Sequence, residues 1–311
     1  LEGKDKAFVQ EYSYQTAALV GEYVLMKTIL VPLAGGDGEI AAMKAAFTIA
    51  RRFDAHVAAL FVRLDPRDAV PLLGEGMSGP MVDEIMRAAE AETNSRHAIA
   101  RRHFDAAVAA ASATLADTPP GPGGVTAEWR EVEGRAEEMV PLESRFADMM
   151  VIGGAGSPAD AYATTVLENA LLGSGRPLLL VPPRLPETIG RHIALAWNAS
   201  VEAARAVAGA VDLLRAAETV DVLVVETAVA SGAAGRRISD YLAWHGVKVR
   251  LTIITSGPDP VGQVLMTKAA ELGSDLVVMG GYGHSRMREM ILGGVTRHVL
   301  HHAGLPVLMA H

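Results

Sequence analysis

The chain repeats itself, and the repeat restricts the folds open to it. Residues 147–156 read ADMMVIGGAG and residues 274–283 read SDLVVMGGYG. Further along, SGRPLLLV at 174–181 parallels AGLPVLMA at 303–310. The openings match as well: Thr28–Pro32 and His192–Ala196 are short apolar runs, each followed by a polar turn and an Ala-rich helical pattern. Two matched segments in the same order, well over 100 residues apart, point to duplicated domains and not to a solenoid of short repeats. Pro182-Pro183-Arg184-Leu185-Pro186 is a stiff linker between them. The expected layout is an N-terminal extension at 1–25, a first domain at 26–183 and a second at 188–311.

Within each half, short apolar runs alternate with helical patterns. Strands are expected near 27–33, 56–63, 126–132, 148–153 and 178–182, then near 191–197, 220–226, 247–254, 275–280 and 305–309. Helices are expected near 39–53, 82–116, 135–146 and 160–173, then near 200–216, 234–245, 260–272 and 290–302. Strand–helix alternation builds a parallel sheet covered on both faces. The fold class is therefore α/β: two tandem domains, each an open five-stranded parallel sheet with helices on both faces. The first half carries extra material at 64–125. Its Met81–Ala116 stretch is rich in Ala, Glu and Arg and favours a long helix, which Pro119, Pro120 and Pro122 then break.

Composition narrows the function. Half of the residues are hydrophobic but only 5% are aromatic, which suits close helix-on-sheet packing. The formal net charge is −8, and no basic run offers a nucleic-acid face. There is no cysteine, which excludes disulfides, thiolate metal sites and thiol nucleophiles. No apolar run reaches the roughly 18 residues of a membrane span, and residues 1–25 lack the charged-then-apolar order of a signal peptide. A cytoplasmic location is the expectation.

The candidate site is the stretch MGGYGHSRMREMILGGVTRHVL at 279–300. A strand empties into Gly280, Gly281 and Gly283; nine residues after Gly283 comes Gly293-Gly294, followed by Val295 and Thr296. Glycines permit close backbone approach, and amides freed at a loop or helix start form an anion nest. In an open parallel sheet such a loop lies beyond the carboxyl ends of the strands, where ligands bind. Hydrogen bonds to charged groups contribute about 1.5–3 kcal/mol each. Three or four of them reach the roughly −8 kcal/mol of micromolar phosphate binding. The hydroxyls of Ser285 and Thr296 and the charges of Arg286 and Arg288 are candidate additions. Glycine turns without a ligand are the competing explanation. No Walker motif is present, and Gly281–Arg286 starts like a dinucleotide fingerprint but ends in Arg.

The strand–GGYG–nine residues–GGVT arrangement resembles the universal stress proteins, whose ATP-binding members carry G-x2-G-x9-G-[S/T]. Gly280, Gly283 and Gly293 match it, and Gly294 stands where Ser or Thr is expected. The resemblance covers most of 26–311 as two tandem domains of the adenine nucleotide alpha hydrolase-like fold. It implies a ribose contact from an Asp closing the first strand, where this chain has Asn198. It also implies adenine contacts at Val225 and Met279, and ATP or a related adenine nucleotide, with or without Mg, as ligand. In the first half Ala34 replaces that Asp, and nine residues after Gly156 stands Val166, so the first domain is expected to have a degenerate site. The resemblance further implies antiparallel pairing of the last strands, 178–182 with 305–309, and leaves homodimerisation open.

Nothing in the sequence demands an enzyme. There is no nucleophile elbow and no H-E-x-x-H motif. His298, His301 and His302 cluster on one expected helix, where solvent exposure and the helix dipole explain them without a metal. Asp148 and Asp275 begin matched strands and fit boundary roles better than catalysis. Three functions stay open: a nucleotide-responsive stress protein, a non-nucleotide interaction module with a degenerate site, and a slow ATPase.

Overall fold

The structure, a computed structural model, describes residues 26–69, 78–119, 123–154, 161–226, 232–255, 257–282 and 294–311. The first half runs β1 (Thr28–Leu33), α1 (Gly38–Phe53), β2 (His56–Arg63), α2 (Gly79–Ala111), β3 (Thr114–Leu115), β4 (Thr126–Glu133), α3 (Ala136–Ser144), β5 (Met149–Gly153), α4 (Ala161–Gly173) and β6 (Leu178–Val181). The second runs β7 (His192–Ala196), α5 (Val201–Gly209), α6 (Val211–Arg215), β8 (Thr219–Val225), α7 (Gly232–Trp244), β9 (Val249–Ile254), α8 (Val261–Glu271), β10 (Leu276–Gly280), α9 (Gly294–His302) and β11 (Val307–Ala310).

One continuous sheet holds both halves, in the order β3-β4-β2-β1-β5-β6-β11-β10-β7-β8-β9. Every pairing within a half is parallel, and the join, β6 with β11, is antiparallel. At that seam Leu179 faces Leu308, with Leu180 opposite Val307 and Leu178 opposite Met309. Leu179 and Leu308 occupy the same position in the two copies of the repeat. Equivalent residues opposite one another are what a local two-fold axis requires. The seam also pairs two apolar strand edges that would otherwise be aggregation templates.

Alternating strand residues feed two core layers. On one face Ile29, Val31, Leu195 and Val222 pack with Phe47, Leu213 and Leu242 from α1, α6 and α7. On the other Leu30, Leu60, Ala196 and Leu223 meet Leu167, Leu171, Leu265 and Val299 from α4, α8 and α9. Both layers cross the seam.

The expected elements differ from the observed ones in two places. The helix expected over 82–116 covers 79–111 and stops at Ser112, in the left-handed region at φ 52°. The chain then adds the short strand β3 beside β4, which makes six strands in the first half instead of five. The helix expected over 200–216 breaks at Ala210 into α5 and α6. A Cβ on Gly209 would lie 2.9 Å from Pro177 of the first half. Close packing across the halves therefore requires a glycine there, and glycine is a poor helix former.

Asp148 and Asp275 fasten the entry to each half. Asp148 Oδ2 accepts the Lys27 and Thr28 amides at 2.8 and 2.9 Å, and the Thr28 hydroxyl. Asp275 accepts the amides of Gly190, Arg191 and His192 at 2.9–3.1 Å and the Thr188 hydroxyl. Arg52 of α1 reaches across the halves, donating to the carbonyls of Ile189 at 2.7 Å and Ala216 at 2.9 Å. Burial lowers its pKa, and the charge of Asp275 works against that shift.

Candidate functional site

In the second half β7 lies between β10 and β8. The chain leaves β7 outward through β8 and β9, then returns to β10 on the opposite side of β7. The β7–β10 boundary is thus the switch point, where the loops beyond the strands' carboxyl ends separate to make a crevice. Asn198 follows β7, Val225 ends β8, and Met279 and Gly280 end β10, so these four sites adjoin along one edge.

Gly280 sits against the start of α5. A Cβ there would stand 2.5 Å from the Ala203 amide nitrogen and 2.9 Å from Glu202 Cβ. Gly153 does the same in the first half, where a Cβ would collide with the Gly38 backbone at the start of α1. This glycine is therefore needed for packing in both halves, with or without a ligand. The contact brings the amino end of α5, capped by Ser200 Oγ accepting from Ala203 N–H at 3.1 Å, to the end of β10.

The described flanks of the two glycine bends meet. Thr296, 4% exposed in the first turns of α9, accepts the Tyr282 N–H on Oγ1 at 3.1 Å. The hydroxyl expected to help a ligand instead holds the β10 loop to α9. Gly294 opens α9 exposed, and a Cβ on it would meet nothing within 4 Å. No steric demand explains glycine there. Val295 packs on the second core layer. Gly283, Ser285 and Gly293 lie outside the described residues, as do Arg286 and Arg288.

Asn198 is exposed, and its Oδ1 accepts the Ser200 N–H at 3.1 Å. Ala199 between them holds φ at 60°. The side chain thus shapes the turn after β7, and its Nδ2 group has no hydrogen bond among the described residues. Val225 and Met279 are 7% and 4% exposed, with side chains in the second core layer. Only their backbone, at the strand ends, borders the crevice.

Sequence reasoning missed several participants. The Trp197 indole nitrogen, at the end of β7, is buried with no hydrogen-bond partner among the described residues. Tyr282 stands at φ 58° with its hydroxyl buried beside Glu168 of α4. Burial first, then the charge of Glu168, raise its phenol pKa. Both residues adjoin quoted motifs, but nothing in a linear pattern reveals an orphaned donor or a contact across the seam.

The first half closes its own crevice. Glu39, 8% exposed in the first turn of α1, accepts the Ala34 amide and, at 3.0 Å, the Gly36 amide on Oε1. Its other oxygen lies 3.1 Å from His103 Nδ1 of α2. Gly35, at φ 84°, packs against α2, where a Cβ would lie 2.9 Å from the Arg96 carbonyl oxygen. A carboxylate and a covering helix therefore occupy the place beyond β1.

Among the described residues no group of three or more His, Asp or Glu could hold a metal, and no helix is long and apolar enough to cross a membrane. His298 and His302 stack with ring centroids 4.7 Å apart, and His302 Nδ1 lies 3.0 Å from the His298 carbonyl.

Residues 190–311, which contain this crevice and both glycine bends, match the Universal stress protein family. The second half is a universal stress protein domain. Over about nine-tenths of its length the chain resembles solved structures, one of them a universal stress protein. A universal stress protein from Archaeoglobus fulgidus DSM 4304 aligns with a TM-score of 0.63 at 16% identity, over 92% of this chain and 99% of that one. A functionally unknown protein from Pseudomonas aeruginosa PAO1 aligns with a TM-score of 0.52 at 14% identity, over 91% and 92%. At these identities the likeness speaks for the fold alone. No curated protein sequence matches the chain. The universal stress protein half thus carries the β7–β10 switch point, and the first half shares its architecture.

Proposed function

We propose that the second universal stress protein domain binds an adenine nucleotide, ATP or a relative, in the β7–β10 crevice, and acts through the resulting change in conformation or partner binding. The observation that supports this reading is the Tyr282–Thr296 contact, which joins the described flanks of the two glycine bends at the switch point. Phosphates would meet the amides of the glycine bends and the start of α9, a helix end that favours anions by about 0.3–1 kcal/mol. The free amide group of Asn198 suits a ribose hydroxyl, without the charge of a carboxylate. The strand-end backbone at Val225 and Met279 borders the adenine position. The first half, filled by Glu39, serves as a packing partner. In this reading the domain acts as a binder, and any ATP hydrolysis is slow and incidental.

A second reading has its own support. Asn198 Oδ1, Thr296 Oγ1 and the Tyr282 amide all spend hydrogen bonds within the chain. A scaffold that has exchanged its ligand contacts for internal ones would look the same. Mass spectrometry of the purified, then denatured, protein separates the two. Co-purified adenine nucleotide supports the first reading. No bound adenine, together with no calorimetric heat on ATP addition, supports the second.

A further inference from the structure

The two ends of the sheet are defended unequally. In the first half β3 covers β4 at Thr126 and Ala127, and the rest of β4 carries the charges of Glu128, Arg130, Glu131 and Glu133. A short covering strand and charged side chains both keep an edge from pairing with another chain. In the second half β9 ends the sheet, and no described strand pairs with its outer side. Its sequence, VRLTII, has no proline and one charge, and none of its six residues is buried. That charge is already satisfied within the chain. Arg250 Nε and Nη2 donate to Asp221 Oδ1 and Oδ2 of β8 at 2.8 and 2.6 Å.

β9 is nonetheless a full member of the sheet. All six of its residues pair in parallel with β8. Val249 and Leu251 pack on the first core layer, and a Cβ on Gly235 of α7 would stand 2.8 Å from Leu251 Cδ1. The outer row of amides and carbonyls is therefore held extended, in the form that another strand requires. Ile253 stays 44% exposed on this edge strand. On α7, the helix that packs on β9, Tyr241 is exposed and Trp244 is 91% exposed. Aromatic residues are enriched among the anchors of protein interfaces.

We infer that β9 pairs antiparallel with β9 of a second copy of this chain, so that one sheet runs through a homodimer. A second copy is the occupant that the chain's own construction favours. Its two halves are already joined by antiparallel pairing of equivalent apolar strands, β6 with β11, about a local two-fold axis. Pairing of β9 with itself repeats that solution between chains, and such an interface is self-complementary. A two-fold axis at Leu251 sets Val249 opposite Ile253 and Arg250 opposite Thr252, so the two arginines are not directly opposed. The edges left at the ends of the dimer are then the charged β4 edges, and growth stops at two chains.

The test is sedimentation of the full chain over a range of concentrations, paired with hydrogen exchange at the two ends of that range. The wild type sediments as a dimer at the upper end, and amides in peptides covering 249–254 exchange more slowly there than at the lower end. Ile253→Lys, which places the substitution in each interface twice, raises the dimer Kd by at least about tenfold. Leu115→Lys, on the exposed β3 at the opposite end of the sheet, leaves the Kd unchanged. Circular dichroism confirms that both variants are folded, and if Ile253→Lys is not, the wild-type exchange decides alone. A wild type that stays monomeric throughout overturns the inference. So does a dimer whose 249–254 exchange is independent of concentration, or one weakened by Leu115→Lys and not by a folded Ile253→Lys.

Discussion

Thr296 Oγ1 accepts the backbone N–H of Tyr282 at 3.1 Å, so a buried hydroxyl joins the end of β10 to the start of α9 across 14 residues of sequence. Replacing Thr296 with Val keeps the shape and removes the acceptor, leaving a partly buried amide unpaired. Such a loss costs about 1–3 kcal/mol. Thr296→Val is expected to lower the denaturation midpoint accordingly and to weaken ATP binding, whereas Thr296→Ser retains both. Equilibrium urea unfolding with calorimetry checks the pair.

Asp275 collects three backbone amides and one hydroxyl where the chain enters the second half. Removing it orphans several donors at once, so Asp275→Ala should destabilise the protein by at least about 3 kcal/mol. Asp148→Ala, which frees two amides and a hydroxyl, should cost less. Urea denaturation of the two variants side by side gives the order.

The raised pKa of Tyr282 has a signed consequence for alkaline stability. A phenol ionises near pH 10 in the unfolded chain. Because the folded state holds this proton more tightly, the contribution is fully present below that pH and is lost as pH rises beyond it. Tyr282 should therefore be the last described tyrosine to ionise in an ultraviolet tyrosinate titration. Tyr282→Phe should lose that late step and show a flatter decline of stability above about pH 10. A normal titration of Tyr282 in the folded protein would contradict the burial.

Gly294 has open space around its missing side chain. Gly294→Ser should fold at least as stably as the wild type, since serine is the better helix residue. If the crevice binds phosphate, the added hydroxyl at the start of α9 should tighten ATP binding by about tenfold, one good hydrogen bond to a charged group. A calorimetric Kd unchanged from wild type would place the phosphates elsewhere.

Much of the architecture was legible because the repeat and the strand–helix alternation are properties of consecutive residues. The seam was expected from the family resemblance, and Leu179 and Leu308, which meet there, sit at matching positions of the repeat. The β3 strand was not legible: two exposed residues, Thr114 and Leu115, carry no hydrophobic pattern and exist only by pairing with β4. The break at Ala210 was hidden because its cause, Pro177, lies in the other half. At the site, Gly280 was recognisable as special, but its reason is the approach of α5. The roles of Glu39, Thr296 and Tyr282 depend on contacts from 3 to 114 residues distant, which periodicity does not encode.

The central claim is that the glycine bends of the second half bind a nucleotide phosphate chain. Isothermal calorimetry with ATP on the full chain, repeated on Gly283→Val and Gly293→Val, tests it most directly. The account predicts micromolar binding by the wild type, about −8 kcal/mol, abolished in both variants while their far-ultraviolet circular dichroism stays native. Absence of wild-type heat, or binding that survives both substitutions, would contradict it.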